Sequence, residues 1–256
     1  MSKLNFPQWV PQIPKDSRIL IAGATGGLGT ALTEMLLKGP HCQIGAHGGS
    51  REFPQIDPRI TPIQMALNSG DDCERLVQEF VELAGGIDAL VILSGAIHYS
   101  GHWKDMPTED WQRDIDVNLN QPFYLARAAT AHMKNQGSGG RILLTGTESS
   151  IHGGSALSFP YAVAKQGTEC LVQGLAREGA SHNILVNGVR FGYITSGFHQ
   201  RWHGKTEHDL KERANLVPLK RGGHVDEAAA LMIYLLSGWA QFITGQMIPL
   251  TGGDWL

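Results

Sequence analysis

No stretch of this chain approaches the ~18 consecutive apolar residues that a bilayer-crossing helix needs. The longest helical apolar run, AALMIYLL, is interrupted too soon. The first 17 residues, MSKLNFPQWVPQIPKDS, lack the apolar core of a secretion signal and carry prolines and polar residues instead, so 1–17 reads as an extended leader. Cysteine is scarce as well. Cys42, Cys73 and Cys170 are odd in number and far apart, which suits reduced thiols better than a disulfide framework or a cysteine-based metal cluster. Charge of one sign is missing: 21 Lys and Arg stand against 24 Asp and Glu, a formal net charge of −3. That leaves no polybasic field for nucleic acid or an anionic membrane. The expectation is a soluble, cytoplasmic protein whose partner is a small molecule. With no repeat, low-complexity tract or long linker, residues 18–256 read as one α/β domain.

Glycine, by contrast, is abundant, at 32 residues, and its tightest cluster falls where an apolar run meets a helical pattern. Residues 19–29 read ILIAGATGGLG and lead into TALTEMLLKG. A buried strand from Ile19 to Ala22 would end at a turn in which Gly23, Gly27 and Gly29 allow a tight bend, close approach to a pyrophosphate and packing of a helix on the sheet. Free N–H groups at that helix's start favour phosphate. The spacing is G-x-x-x-G-x-G, which becomes specific only with companions downstream.

Those companions follow in order. CQIGAHGG predicts a second strand near Gln43–Ala46, ITPIQMAL a third, DDCERLVQEFVELAGG an amphipathic helix, and IDALVILSGA a fourth, buried strand. One long helical region over 109–136 precedes GGRILLTGT as strand five. PYAVAKQGTECLVQGLAREGA is then a helix, ILVNGVRFG strand six and ITGQMIPLTGG strand seven. Strands alternating with helices imply a Rossmann-type doubly wound parallel sheet of about seven strands. After the second strand, His47, Ser50 and Arg51 stand with no acid before Glu52. Cationic and hydroxyl donors there suit the 2′-phosphate of NADP(H) rather than the free ribose of NAD(H), which remains possible.

Tyr161 and Lys165 are four apart at a helix start, hence on one face. A phenol with an unperturbed pKa near ~10 exchanges protons poorly at neutral pH, and a nearby ammonium would lower it. With these residues in view, the chain resembles the short-chain dehydrogenase/reductase (SDR) family over nearly its full length. AGATGGLG is similar to that family's cofactor turn, with Ala22 where Thr is usual; DVNLNQPF, YAVAK, VNGVRFGYITS, PLKRGGHVDEAA and FITGQMIPLTGG match later segments.

The resemblance implies an NAD(P)-dependent oxidoreductase. In it Tyr161 is the general acid/base, Lys165 its pKa-lowering partner and a nicotinamide-ribose ligand, and Asn118 a helper of a relay water. It also implies cofactor contacts from Thr25, Gly26 and Leu28 in the first turn, Leu67 after strand three, Ser94 and Gly95 after strand four, and Gly192 and Ile194 after strand six. The chain departs from the family pattern at Ile92, Leu93 and Ser94, which replace a polar cluster, at Ala66, where an acid is common, and at Phe191, where Pro is usual. The hydroxyl that orients the substrate is Thr147 by its count from GGRI, with Ser149 and Ser150 as alternatives; chemically, something must hydrogen-bond the carbonyl oxygen as charge develops there.

His98, His102, His152, His199 and His203 fall in loops at the strands' C-terminal ends, with Tyr99, Trp103, Tyr193, Phe198, Arg201 and Trp202. They are expected to line a polar pocket rather than a metal site, and the segment near 195–217 to form a substrate lid. Two other functions stay open: a cofactor-sensing scaffold with little activity, and an isomerase or dehydratase on the same sheet. The family implies a homotetramer or dimer, with Trp255 and Leu256 of the apolar tail as interface material.

Overall fold

The computed structural model describes residues 12–254, apart from the side chains of Trp202 and His203. The first half of the chain runs β1 (Ser17–Ala22), α1 (Gly27–Leu37), β2 (Cys42–Gly48), β3 (Ile60–Gln64), α2 (Gly70–Ala84) and β4 (Ala89–Ile92). Then come α3 (Thr108–Ile115), a π-helical turn over Asp116–Asn120, α4 (Gln121–Gln136), β5 (Gly140–Thr147), α5 (Ser149–His152), α6 (Phe159–Gly179) and β6 (Ile184–Phe191). The chain closes with α7 (Phe198–His203), α8 (Glu207–Leu216), α9 (Val225–Leu236) and β7 (Met247–Leu250). The seven strands form one parallel sheet in the order β3-β2-β1-β4-β5-β6-β7.

Strand alternation distributes β1 between two cores. Ile19 and Ile21 pack with α1 and α9 on one face, while Leu20 and Ala22 pack with α2, α4 and α6 on the other. This two-sided burial is why β1 reads as an unbroken apolar run. Chain order reverses between β1 and β4, so the crevice beyond their C-terminal ends is the topological switch point where such sheets bind ligands.

Several expected boundaries move. The second strand is longer, reaching Gly48, because His47 and Gly48 still pair with Ile63 and Gln64 of β3. The third and fourth are shorter: β3 loses its partner after Gly48, and β1 turns away at Gly23 once Ala22 has paired with Ile92. The seventh shrinks to Met247–Leu250, and the long helix carries a π-helical turn through DVNLN. Within the leader, Ile13 is buried in the core and the Ser17 hydroxyl donates to Pro14 O (2.6 Å). The earlier leader residues, Trp255 and Leu256 lie outside the described residues.

Gly23 adopts φ +90°, and a Cβ there would lie 2.6 Å from Ser94 N. A Cβ on Gly29 would lie 2.5 Å from Ala24 Cα, so α1 packs directly on the turn. Gly23→Ala is expected to lower stability by about 2–4 kcal/mol, from combined backbone strain and overpacking, and the thermal midpoint by roughly 5–15 °C. A shift under about 2 °C in thermal unfolding would show instead that the turn relaxes freely.

Candidate active site

A cleft of ≈ 630 Å³ opens over the switch point. Gly23, Gly26, Gly27, Leu28 and Gly29 form one wall. Helix α1 begins there with no side-chain cap and no acidic residue in its first turn, leaving amide donors and the positive end of the helix dipole for an anion. Ser94 and Gly95 continue the wall beyond β4, and Gly192 and Ile194 beyond β6. The buried Ser94 hydroxyl has no hydrogen-bond partner. A glycine cradle, an uncapped helix and an unsatisfied hydroxyl in one crevice fit the phosphates and sugar of a dinucleotide.

The 2′-site expectation needs one correction. His47 is a buried strand residue, 3% exposed, and not a turn residue. Its Nε2 donates to Met65 O (2.8 Å) and its Nδ1 accepts from Gly23 N (3.3 Å). A ring that donates from one nitrogen and accepts at the other is neutral, and burial pushes its pKa down. His47 therefore braces the glycine turn and is not a phosphate ligand. Ser50 and Arg51 are exposed beyond β2, and Arg51 Nη2 donates to Thr25 O (3.2 Å), which sets its guanidinium beside the turn. Thr25, Ser50, Arg51 and Leu67 all lie outside the cleft lining. Leu67 packs against the core, with its carbonyl accepting from Gln121 Nε2 (2.6 Å).

Across the cleft, Tyr161 and Lys165 project from the first turns of α6. The Lys165 Nζ lies 5.8 Å from the Tyr161 ring centre and donates to Thr145 Oγ1 (3.3 Å). Lys165 is 2% exposed, and burial lowers its pKa to about 8. Burial likewise pushes the Tyr161 phenol up, so the expected lowering by the ammonium is outweighed by desolvation of the phenolate. Thr147 and Ser149 face the cleft, and Thr147 Oγ1 accepts from Ser149 N (3.3 Å). Ser150 turns its hydroxyl away, toward Thr147 O (2.7 Å) and Glu169 Oε1 (3.0 Å). That removes Ser150 from the candidates.

Asn118 lies behind this pair, fully buried at the π-helical turn. Its amide donates to Ala96 O (2.7 Å) and Asp114 O (2.9 Å), and its backbone carbonyl accepts from Thr168 Oγ1 (3.2 Å). Its Oδ1 accepts from Ala96 N (3.3 Å), so Asn118 fixes the loop after β4, and a Cβ on Gly95 would lie 3.0 Å from Asn118 Oδ1 and 3.8 Å from Lys165 Nζ. The Asn118 side-chain amide is held by protein partners, while its backbone carbonyl keeps a second lone pair beside the one that Thr168 occupies.

The aromatic and histidine loops divide. His152, Tyr193, Phe198, His199 and Arg201 line the cleft, with the Phe198 ring 5.8 Å from Tyr161 and His199 5.3 Å from Tyr193. His98 instead joins Asp114 (3.0 Å), whose buried carboxyl burial pushes up. His102 accepts from Lys104 N (3.2 Å), Trp103 packs on Phe159, and Tyr99 covers Gly101. His199 and His203 stand four apart on α7, a spacing at which two imidazoles can share a metal; the His203 and Trp202 side chains lie outside the described residues. Among the described residues, the His and carboxylate groups close enough to share an ion are His208, Asp209 and Glu212, on the exposed α8. Among the lining residues missed in the sequence, one is a buried acid. Glu148, directly after Thr147, is 7% exposed with no partner for its Oε2, and its only sequence signal is an acid adjoining a strand-end hydroxyl.

The family model described as enoyl-(acyl carrier protein) reductase matches residues 51–254. The L-rhamnose 1-dehydrogenase (NAD(P)(+)) of Azotobacter vinelandii is 30% identical, over 93% of this chain and 96% of its own. Human dehydrogenase/reductase SDR family member 4 is 29% identical, over 91% of this chain and 86% of its own. A solved short-chain type dehydrogenase/reductase from Mycobacterium marinum superposes with a TM-score of 0.84 at 27% identity, covering 94% of this chain and 96% of that one.

The His47 brace makes a pH prediction. Its folded pKa lies below the ~6.5 of an unfolded histidine, so below that pH the unfolded chain takes up a proton that the folded one refuses. Stability from this group is complete above about pH 6.5 and is lost as pH falls. Thermal unfolding between about pH 7 and 5 should show a shallower decline in His47→Gln than in the wild type; equal declines would contradict the assignment.

Proposed function

The chain belongs to the short-chain dehydrogenase/reductase family and is an NAD(P)-dependent oxidoreductase, and on that premise we propose that it prefers NADP(H) and interconverts a polar carbonyl compound and its alcohol. The observation that carries this reading is the arrangement of Tyr161 beside a buried Lys165, with Thr147 lining the cleft that the glycine turn closes. For the cofactor choice, the support is an exposed Ser50 and Arg51 past β2, with no carboxylate between His47 and Arg51.

A nicotinamide bound in this cleft would supply the hydride, and with it two electrons, for the carbonyl carbon in the reducing direction. As the C=O π electrons move onto oxygen, the Thr147 hydroxyl, with Ser149 beside it, donates a hydrogen bond to that oxygen. Tyr161 then gives its phenolic proton to the oxygen, completing the alcohol. Burial keeps this proton on Tyr161 at neutral pH, so it is in place when basicity develops on the substrate. Lys165, mostly protonated below its pKa of about 8, stabilises the tyrosinate that remains. Asn118 holds the loop after β4 in register.

Residues 18–256 act as the catalytic domain and 195–217 as the substrate lid in this reading, with Arg201, Lys205 and Arg213 of the lid at the cleft. The enzyme would work in the cytoplasm as a homodimer or homotetramer. No helix among the described residues is long and apolar enough to cross a membrane, and Trp239 and Phe242 are exposed apolar surface of the kind an interface covers. A scaffold or an isomerase is not favoured, because relatives include a dehydrogenase of L-rhamnose and a reductase of acetoacetyl-CoA.

Tyr161→Phe is expected to lower kcat by about 10²–10⁴-fold while NADPH binds as before. Thr147→Ala should cost about 10²-fold, and Ser150→Ala far less. NADPH oxidation with a panel of carbonyl compounds checks this; full turnover in Tyr161→Phe would reject the mechanism.

A further inference from the structure

Thr147 is the last residue of β5, and Glu148 turns the chain into α5. Along a strand, neighbouring side chains point to opposite faces. Here Glu148 leaves the strand with helical backbone angles, φ −59° and ψ −29°, while its N–H donates to Phe191 O (2.9 Å). Both residues, 147 and 148, are in the cleft lining.

Glu148 is 7% exposed, and its Oε2 is buried without a hydrogen-bond partner. Among the described residues no ion pair reaches it, although Arg190 and His152 act on its charge from nearby. Arg190 is committed to Glu169 by two bonds of 2.9 Å, and Arg213 to Asp254. A buried carboxyl oxygen with no donor is costly, and such groups in native proteins have a reason. Burial pushes the carboxyl up; Arg190 and His152 pull it down, and the carboxylates of Asp254 and Glu169 push it up, so the net direction is upward.

We propose that Glu148 is a substrate-binding residue that accepts a hydrogen bond from a hydroxyl adjacent to the reacting carbonyl, so that the substrates are hydroxylated, sugar-like carbonyl compounds. Glu148 and Thr147 line the same cleft, so the carboxyl would take a hydroxyl near the oxygen that Thr147 holds. A hydroxyl suits the site better than an ammonium, since Arg201, Lys205 and Arg213 line the same cleft and would repel a cation. This inference rests on the oxidoreductase reading above.

The test compares glyceraldehyde, erythrose and xylose with propanal, butanal and pentanal, using NADPH and the wild type, Glu148→Leu and Glu148→Gln. Leucine removes the unpaired carboxyl without leaving a cavity, and glutamine keeps an acceptor oxygen. Wild type should favour the hydroxylated series. In Glu148→Leu, the kcat/KM ratio of glyceraldehyde to propanal should fall roughly 10–100-fold, with partial recovery in Glu148→Gln. A ratio unchanged in Glu148→Leu, or a wild type that reduces only the unsubstituted aldehydes, would overturn the assignment and leave the oxidoreductase intact. A wild type that reduces neither series would overturn both.

Discussion

The approach of Gly23 to the backbone of Leu93 and Ser94 is the contact on which the site depends. It closes the turn after β1 against the end of β4, the two strands between which chain order reverses. The same turn is tied sideways to β2, where His47 O accepts from Gly23 N (3.2 Å) and Ala24 N (2.8 Å) and the His47 ring bridges to Met65. Three strands are thereby locked at one corner, and α1 leaves that corner with its first amides aimed across the cleft. The tightness extends to the far wall: a Cβ on Gly27 would lie 2.4 Å from Ser196 O, in the segment that follows β6. A side chain at Gly27 would push the glycine turn away from the segment after β6.

Desolvation then governs the chemistry. Tyr161 and Lys165 are moved in opposite directions by one cause, the penalty on their charged forms. Among the described residues the Lys165 ammonium donates to the Thr145 hydroxyl, which offers no charge to restore its pKa. The result is a neutral phenol and a cation that is close to losing its proton. Such a pair suits proton donation to an oxygen that becomes basic only as hydride arrives, and the adjacent ammonium favours the charged product of that donation.

Sequence patterns carried the sheet, the glycine turn and the Tyr161–Lys165 pair, because each rests on a local rule: buried parallel strands are uniformly apolar, tight turns need glycine, and residues four apart share a helix face. What they did not carry depends on partners distant in the chain. His47 read as a polar turn residue because nothing local reveals that β3 extends β2 by two residues and buries it. Leu67 and the end of β4 were misplaced because an apolar run continues past the point where its neighbour stops. The π-helical turn at Asn118 is invisible in a helical pattern, since one inserted residue barely disturbs the periodicity. Ser150 and Thr147 are equally plausible by composition, and only Glu169, on a different element, turns Ser150 away. Glu148 passed unnoticed because its unpaired state is a property of the folded surroundings.

The proposal under test is that the cofactor seated on the glycine turn is NADP(H), with its 2′-phosphate reaching Ser50 and Arg51 beyond the cleft. Calorimetric titration of the protein with NADPH and with NADH tests it most directly. NADPH should bind about 10-fold or more tightly than NADH, as expected for a charge-assisted contact to phosphate, and Arg51→Ala should remove most of that difference. Equal or tighter binding of NADH would contradict the role of Arg51, and failure of both nucleotides to bind would contradict the site itself.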